Sequence, residues 1–164
     1  MKTDTSCIED LKLLAITIDK KIKYSSKPPF LVSFLPEKSL IKNTVVYLKG
    51  NLALFNQDLF GPKDIFGLKE GVIVEYPDYK IIVIKYHSDT ESIKWYKSAE
   101  NYFNIDNSYT NFVKHKNHFE TSDLKSSKLW IKSFNNYIII IYGNKIYNAK
   151  EMFNSVKENI RASK

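Results

Sequence analysis

Two runs of apolar, mostly β-branched residues constrain the fold more than any other feature of the chain. Residues 81–84 read Ile-Ile-Val-Ile, and residues 138–141 are four consecutive isoleucines. A half-buried strand alternates apolar and polar side chains, whereas a continuous apolar run is typical of a strand with both faces covered. The two runs therefore predict two interior strands of a sheet, with other elements packed on both sides.

Each run belongs to a longer pattern that occurs twice. Residues 72–76, the turn Pro77-Asp78 and residues 79–86 predict a hairpin, because proline presets the backbone of the first turn position. A helix is predicted to follow, since Ser88 and Glu91 have the spacing of a capping box. Apolar residues then recur at helical intervals up to residue 103.

The same order of elements returns in residues 129–160. A second turn, Asn135-Asn136, separates two apolar segments, and Asn148 precedes a second helical pattern. Ile82 and Ile140 lie 58 positions apart and occupy the same place in the two patterns. We interpret residues 72–103 and 129–160 as an internal repeat of one strand-turn-strand-helix unit.

The remaining segments complete a predicted α+β fold with a mixed or mainly antiparallel sheet. An apolar stripe over residues 6–24 predicts an N-terminal amphipathic helix. Residues 44–55 predict an early hairpin that turns at Gly50-Asn51. The polar segment 106–128 is expected to be a long connector, and residues 1–164 are expected to form a single domain.

The chain is basic, but it is poor in arginine. Its formal net charge is +7, and Arg161 is the one arginine among 25 basic residues. Phosphate and base-edge recognition favours the planar guanidinium group, so a surplus of lysine is a weaker sign of nucleic-acid binding. Two interpretations of the charge stay open, a polyanion-binding surface and a solvated lysine surface.

No apolar stretch is long enough to predict a membrane span, and the single Cys7 excludes an internal disulfide. Residues 1–6 contain no apolar signal segment. The chain as it stands predicts a soluble, cytoplasmic protein, or an exported one if a signal peptide has been removed.

No motif predicts a catalytic centre. The chain lacks a glycine-rich phosphate loop, a nucleophile elbow and a His-Glu-x-x-His pattern. His115, His118 and Glu120 have the side-chain types of zinc ligands, but a polar connector contains no helix to fix their spacing. The sequence therefore predicts no metal and no cofactor, with these three residues as weak metal candidates.

The predicted contact surface lies on the helix of the first unit. Trp95 falls outside the apolar stripe of that helix, with Lys94 and Lys97 beside it, and His87 precedes the helix. An exposed indole among lysines is typical of a contact surface. These four residues are the predicted binding residues.

Several short motifs resemble those of an uncharacterised family of bacterial domains that is usually exported. The motifs are Leu35-Pro36-Glu37, residues 47–50 (Tyr-Leu-Lys-Gly), Phe60-Gly61, Phe66-Gly67 and residues 76–79 (Tyr-Pro-Asp-Tyr). The resemblance covers residues 30–103 and, more loosely, the second unit. It implies an exported domain and gives no catalytic residues.

The expected function is that of a non-enzymatic binding or interaction domain, whose partner is a protein or a small ligand. One alternative is a lysine-rich binder of nucleic acid or another polyanion. A third is a hydrolase or metal-dependent enzyme that uses His87 or the His115, His118 and Glu120 set. A homodimer through a sheet face is expected if one apolar face stays uncovered.

Overall fold

The two apolar runs lie at the centre of a seven-stranded sheet. The computed structural model describes residues 9, 11–14, 16–17, 29–50, 52–57, 59–61 and 63–163. The strands are β1 (Val46–Lys49), β2 (Glu70–Glu75), β3 (Tyr79–Lys85), β4 (Tyr109–Lys114), β5 (Phe119–Asp123), β6 (Lys128–Phe134) and β7 (Tyr137–Gly143). Their order is β1-β2-β3-β7-β6-β5-β4, and every neighbouring pair is antiparallel. The predicted α+β fold with a mainly antiparallel sheet is confirmed.

Among the described residues from 29 onward, two long helices and two short ones accompany the sheet. They are a 3₁₀ helix (Phe30–Phe34), α1 (Leu52–Phe55), α2 (Asp89–Ile105) and α3 (Ala149–Ala162). Both predicted strand-turn-strand-helix units are present, because α2 follows the β2–β3 hairpin and α3 follows the β6–β7 hairpin. Within the described residues, no helix has the length and apolar character needed to cross a bilayer.

Strands β3 and β7 are neighbours, and both are covered on both faces, as predicted. Residues 81–84 and 138–141 are all 0% exposed. Ile82 lies opposite Ile140 in the register, so successive isoleucines of both strands alternate between the two faces together. Full burial of one such side chain contributes roughly 1.5–3 kcal/mol, so this double row is a main source of stability.

The two long helices lie on opposite faces of the sheet. On one side, here called the α2 face, Ala99 and Phe103 pack with the cluster that contains Ile82 and Ile140. On the other, the α3 face, Phe153, Val156 and Ile160 pack with Ile81, Ile139 and the 3₁₀ helix. The chain therefore covers both faces of its own central strands. The uncovered face on which the homodimer expectation depended is not found at β3 and β7.

The predicted early hairpin over residues 44–55 is wrong in its second half. Residues 46–49 form β1 as an edge strand, but residues 52–55 form α1, and β1 pairs with β2 instead. The amide of Ala53 donates to the carbonyl of Gly50, which begins the helical turn. Leucine and alanine favour a helix, and this turn buries Leu54 in the cluster that also holds Leu48.

The predicted connector over residues 106–128 is also wrong, since β4 and β5 form a hairpin there. The segment is mostly polar, but alternate residues at the start of β5, Phe119 and Thr121, point inward and are buried. Most of the predicted N-terminal helix, residues 6–24, lies outside the described residues. The described positions in it, 9, 11–14 and 16–17, are helical.

Candidate functional site

An open groove of about 600 Å³ lies on the α3 face, beside the β4–β5 hairpin. The hairpin contributes His115, His118 and Glu120, and β6 contributes Lys128, Trp130 and Lys132. The segment between β7 and α3 and the first turn of α3 contribute Ile146, Tyr147, Ala149 and Lys150. We call this the basic groove. Its volume is within the range of small-molecule binding sites.

The tight turn of the β4–β5 hairpin brings the two histidines together. The amide of His115 donates to the carbonyl of His118 at 2.9 Å, which closes the turn. The two imidazole rings stack with centroids 4.2 Å apart and planes 8° from parallel. The Oε1 atom of Glu120 lies 3.0 Å from Nε2 of His118 and 3.6 Å from Nε2 of His115. A hairpin thus fixes a spacing that the sequence alone left undetermined.

Trp130 forms the floor of the groove next to this cluster. It lies opposite Glu120 in the register of β5 and β6, and its ring contacts His118 on one side and Phe153 on the other, with centroids 4.8 and 5.4 Å apart. Trp130 is 6% exposed. Burial lowers the pKa of His118, and the nearby charges of His115 and Lys132 lower it further, although the hydrogen bond with Glu120 opposes them.

Lysines form the other walls of the groove. Lys128, Lys132 and Lys150 line it, and Lys157 lies close enough to Lys132 to repel its charge. Burial lowers the pKa of Lys132, and the charges of Lys157 and Lys150 lower it further. Against these cations the groove has one carboxylate, that of Glu120.

These lysines differ from most of the lysines on the rest of the sheet, of which only Lys49 also forms no ion pair with a described residue. Lys80 pairs with Glu75, and Lys85 pairs with Glu70, while several further lysines also have carboxylate partners. In the described part of the chain, Lys128, Lys132 and Lys150 form no ion pair. Lys128 lies over the ring of Tyr147 and Lys132 over that of Phe153, with Nζ 5.9 and 4.3 Å from the ring centroids. Aromatic faces hold these two ammonium groups at the groove but leave their charge uncompensated.

The rim of the groove combines this charge with apolar surface. Tyr147 is 84% exposed, although its ring is next to Lys128 and Ile146. Helix α3 begins at the groove with Ala149, and its N-cap residue, Asn148, makes no side-chain capping bond. The positive end of the helix dipole therefore adds to the lysine charge on the same side.

The predicted binding residues lie elsewhere, along α2. Trp95 is half-buried, and its indole lies so close above Gly67 that a Cβ atom there would be 2.0 Å from it. Lys94, Lys97 and His87 are exposed, and none of the four residues lines the basic groove. The predicted contact surface depended on an exposed indole, and Trp95 instead packs into the core of the α2 face.

The sequence interpretation placed the histidines and Glu120 together as metal candidates but overlooked the groove around them. The missed residues are Lys128, Trp130 and Lys132, which alternate along β6 and so project from one face. That spacing of two was a usable signal. Lys150 and Tyr147 come from a distant part of the chain, and only the topology brings them to β6.

In comparisons with known proteins, the chain matches no protein-family model, no curated protein and no solved structure.

Proposed function

We propose that the protein is a non-enzymatic binding domain whose basic groove binds a small anionic ligand. The observation that carries this proposal is the convergence of Lys128, Lys132 and Lys150 on one concave site without carboxylate partners. Three of the four other lysines in the strands, Lys80, Lys85 and Lys114, pair with carboxylates, whereas Lys49 at the edge forms no ion pair with a described residue. The ammonium group of Lys132 is half-buried and is repelled by the charges of Lys157 and Lys150, and an anion placed among these groups relieves that repulsion.

The groove also favours a ligand with an apolar or planar part. Trp130, Ile146 and the exposed Tyr147 give it a floor and rim suited to a ring or an alkyl group. A few charged groups on a largely apolar wall are typical of sites that orient small molecules. The expected ligand class is therefore a small carboxylate or phosphate ester that carries a ring.

The proposal is tested by isothermal titration of the metal-free protein at low ionic strength with inorganic phosphate, AMP and benzoate. We expect AMP or benzoate to bind more tightly than phosphate, because only they carry a ring. Lys132→Gln and Lys150→Gln should each weaken that binding about tenfold, as expected for loss of one charged hydrogen-bond donor. Lys85→Gln is the matched control, since Lys85 is paired with Glu70 on another part of the sheet.

The polyanion alternative gives a different result in the same titration. A nucleic-acid binder would bind a single-stranded oligonucleotide much more tightly than AMP, with an affinity that falls steeply as salt increases. Equal affinity of the parent protein and both groove variants for every anion would contradict a specific site in the groove.

We further propose that the two strand-turn-strand-helix units are a true internal repeat, in which the hairpins remain equivalent while the helices pack on opposite faces of the sheet. Ile73 pairs with Ile82, and Ile131 pairs with Ile140, so the two hairpins have the same register at a constant offset. Ile82 and Ile140 are equivalent residues at this offset and are also partners in the register, so exchanging the two hairpins about a local two-fold axis through this pair restores the pairing. A duplicated and fused hairpin would produce this arrangement.

A further inference from the structure

We propose that His115, His118 and Glu120 form a binding site for a zinc-type divalent cation, with its remaining coordination position open to the basic groove. This site is separate from the anion-binding proposal and can succeed or fail independently of it. Imidazole nitrogen and carboxylate oxygen are the ligand types of zinc sites that have three protein ligands and one open position.

The distances between the candidate ligand atoms fit such an ion. Zinc bonds of 2.0–2.1 Å in a tetrahedral arrangement place neighbouring ligand atoms about 3.3 Å apart. The Glu120 oxygen lies 3.0 and 3.6 Å from the two Nε2 atoms, on either side of that value. One ligand atom from each residue lies within 4.8 Å of those from the other two. The three groups therefore converge before any ion is bound.

The hairpin supplies the rigidity that a metal site needs. The backbone hydrogen bond between His115 and His118 closes the turn, and His118 is held against Trp130. Glu120 projects from β5 within a paired strand. An ion must lie near the plane of each imidazole, so one ring has to leave the parallel stack. His115, whose side chain is 42% exposed, is the ring expected to turn, because His118 is packed against Trp130.

The lysines explain why such a site would remain open on one side. Two neutral histidines and one carboxylate leave a divalent ion with one positive charge, and Lys132 adds to it. The fourth ligand is therefore expected to be an anion, such as hydroxide or a ligand carboxylate or phosphate, rather than a protein side chain. All three protein ligands line the groove, so this position faces the space where an anion can enter.

The first test is a titration of the chelator-treated protein, without a histidine tag, with Zn²⁺ alone. We expect one ion per chain. His115→Ala and Glu120→Gln should each weaken binding by about tenfold or more, because loss of an outer hydrogen-bonding partner alone costs 10–100-fold. His87→Ala and Cys7→Ser are the controls for the remaining histidine and the one thiol, and neither should change the affinity.

Proton NMR gives a second readout of the same site. The chain has three histidines, so Zn²⁺ should shift the imidazole signals of His115 and His118 and leave that of His87 unchanged. Unchanged melting of the metal-free variants shows that they fold, and His118 is left intact because it packs on Trp130. Failure of the parent protein to bind Zn²⁺ would overturn the proposal, and so would variants His115→Ala and Glu120→Gln that bind Zn²⁺ as tightly as the parent protein does.

Lys132→Gln distinguishes the two proposals. It removes a positive charge next to His118, so Zn²⁺ should bind at least as tightly as before, whereas anion binding should weaken. Loss of anion binding with Zn²⁺ binding retained supports both proposals. Zn²⁺ binding that weakens with Lys132→Gln would contradict the metal site as described.

Discussion

The contact between Trp95 and Gly67 shows how one residue without a side chain positions a large one. Gly67 has a φ of 55°, and its missing Cβ leaves room for the indole that covers the loop before β2. The hydroxyl of Tyr86 donates to the neighbouring carbonyl of Phe66 at 2.6 Å. The loop that precedes β2 is thus fixed to α2 and to the end of β3 by two specific contacts.

Gly67→Ala is expected to destabilise the protein by about 2–4 kcal/mol, because it adds overpacking against Trp95 to the backbone strain of a left-handed residue. Gly61→Ala is the matched control. Gly61 also has a positive φ, 72°, but nothing lies within 4 Å of its added Cβ. Its expected cost is only the strain, about 1 kcal/mol. Urea unfolding of both variants measures the difference, and equal costs would show that the Trp95 contact carries no energy.

The buried hydroxyl of Tyr86 is expected to make the folded protein less stable at alkaline pH. Burial raises the pKa of its hydroxyl well above the usual value, with the charges of Asp64 and Glu91 adding to the shift. The unfolded chain releases this proton at about pH 10, whereas the folded chain retains it, so the free energy of unfolding falls as pH rises above about 10. Tyr86→Phe should reduce the fall measured between pH 8 and pH 11. If the free energy of unfolding of Tyr86→Phe falls with pH as much as that of the parent protein, the Tyr86 hydroxyl is not a cause of the alkaline loss of stability.

At the scale of single elements, α2 begins with a well-formed cap. The Oγ atom of Ser88 accepts a hydrogen bond from the amide of Glu91 at 3.2 Å, and the carboxylate of Glu91 accepts one from the amide of His87 at 3.0 Å. The return bond goes to the residue before the cap rather than to the cap itself. One amide that the helix leaves unpaired at its start, that of Glu91, is satisfied in this way, together with the amide of the residue before the cap.

Ser88→Ala is expected to cost about 1 kcal/mol of stability, because the amide of Glu91 loses its acceptor. Ser98→Ala is the control in the same helix. Ser98 is exposed in the middle of α2, where alanine is the better helix former, so its replacement should be neutral or slightly stabilising. Thermal unfolding of the two variants side by side gives the comparison. A neutral Ser88→Ala would mean that the cap contributes nothing.

The elements that could be predicted are those in which local preference and burial agree. Residues 81–84 and 138–141 form strands because their side chains favour strands and both faces are covered. Ser88 fixes the start of α2 within a residue of the prediction. The structures of residues 52–55 and 106–128 were predicted wrongly, because the local sequence patterns there are weak. Tertiary contacts determine the secondary structure of these two segments, through the burial of Leu54 in the core and of Phe119 in β5.

The candidate site was predictable only in part for a similar reason. His115, His118 and Glu120 are close in sequence, so their grouping could be read directly. The basic groove joins β6 to residues 146–150, and that contact depends on which face of the sheet α3 covers. The two units have matching strands, yet three residues join β3 to α2 and five join β7 to α3. Sequence pattern alone does not reveal that the longer connection reaches the other face.

At the scale of the whole molecule, each long helix packs in part on a segment outside its own unit, although α3 also contacts β7 of its own unit. Helix α2, from the first unit, packs on β4, β6 and β7. Helix α3, from the second unit, packs on the 3₁₀ helix near the start of the chain, and Asn159 donates to the carbonyl of Phe34 at 3.1 Å. The two halves are therefore interlocked rather than placed side by side.

Interlocking makes each half depend on the other for its folding. A chain cut between Asn107 and Ser108 should yield two fragments that are each unfolded alone, since one lacks the strands under α2 and the other lacks the 3₁₀ helix against α3. Mixing them should restore the circular dichroism spectrum of the intact chain with second-order kinetics, and a fragment that folds unaided would refute this. During synthesis, the apolar face of α2 would then stay unprotected until β4, β6 and β7, on which it packs, have left the ribosome.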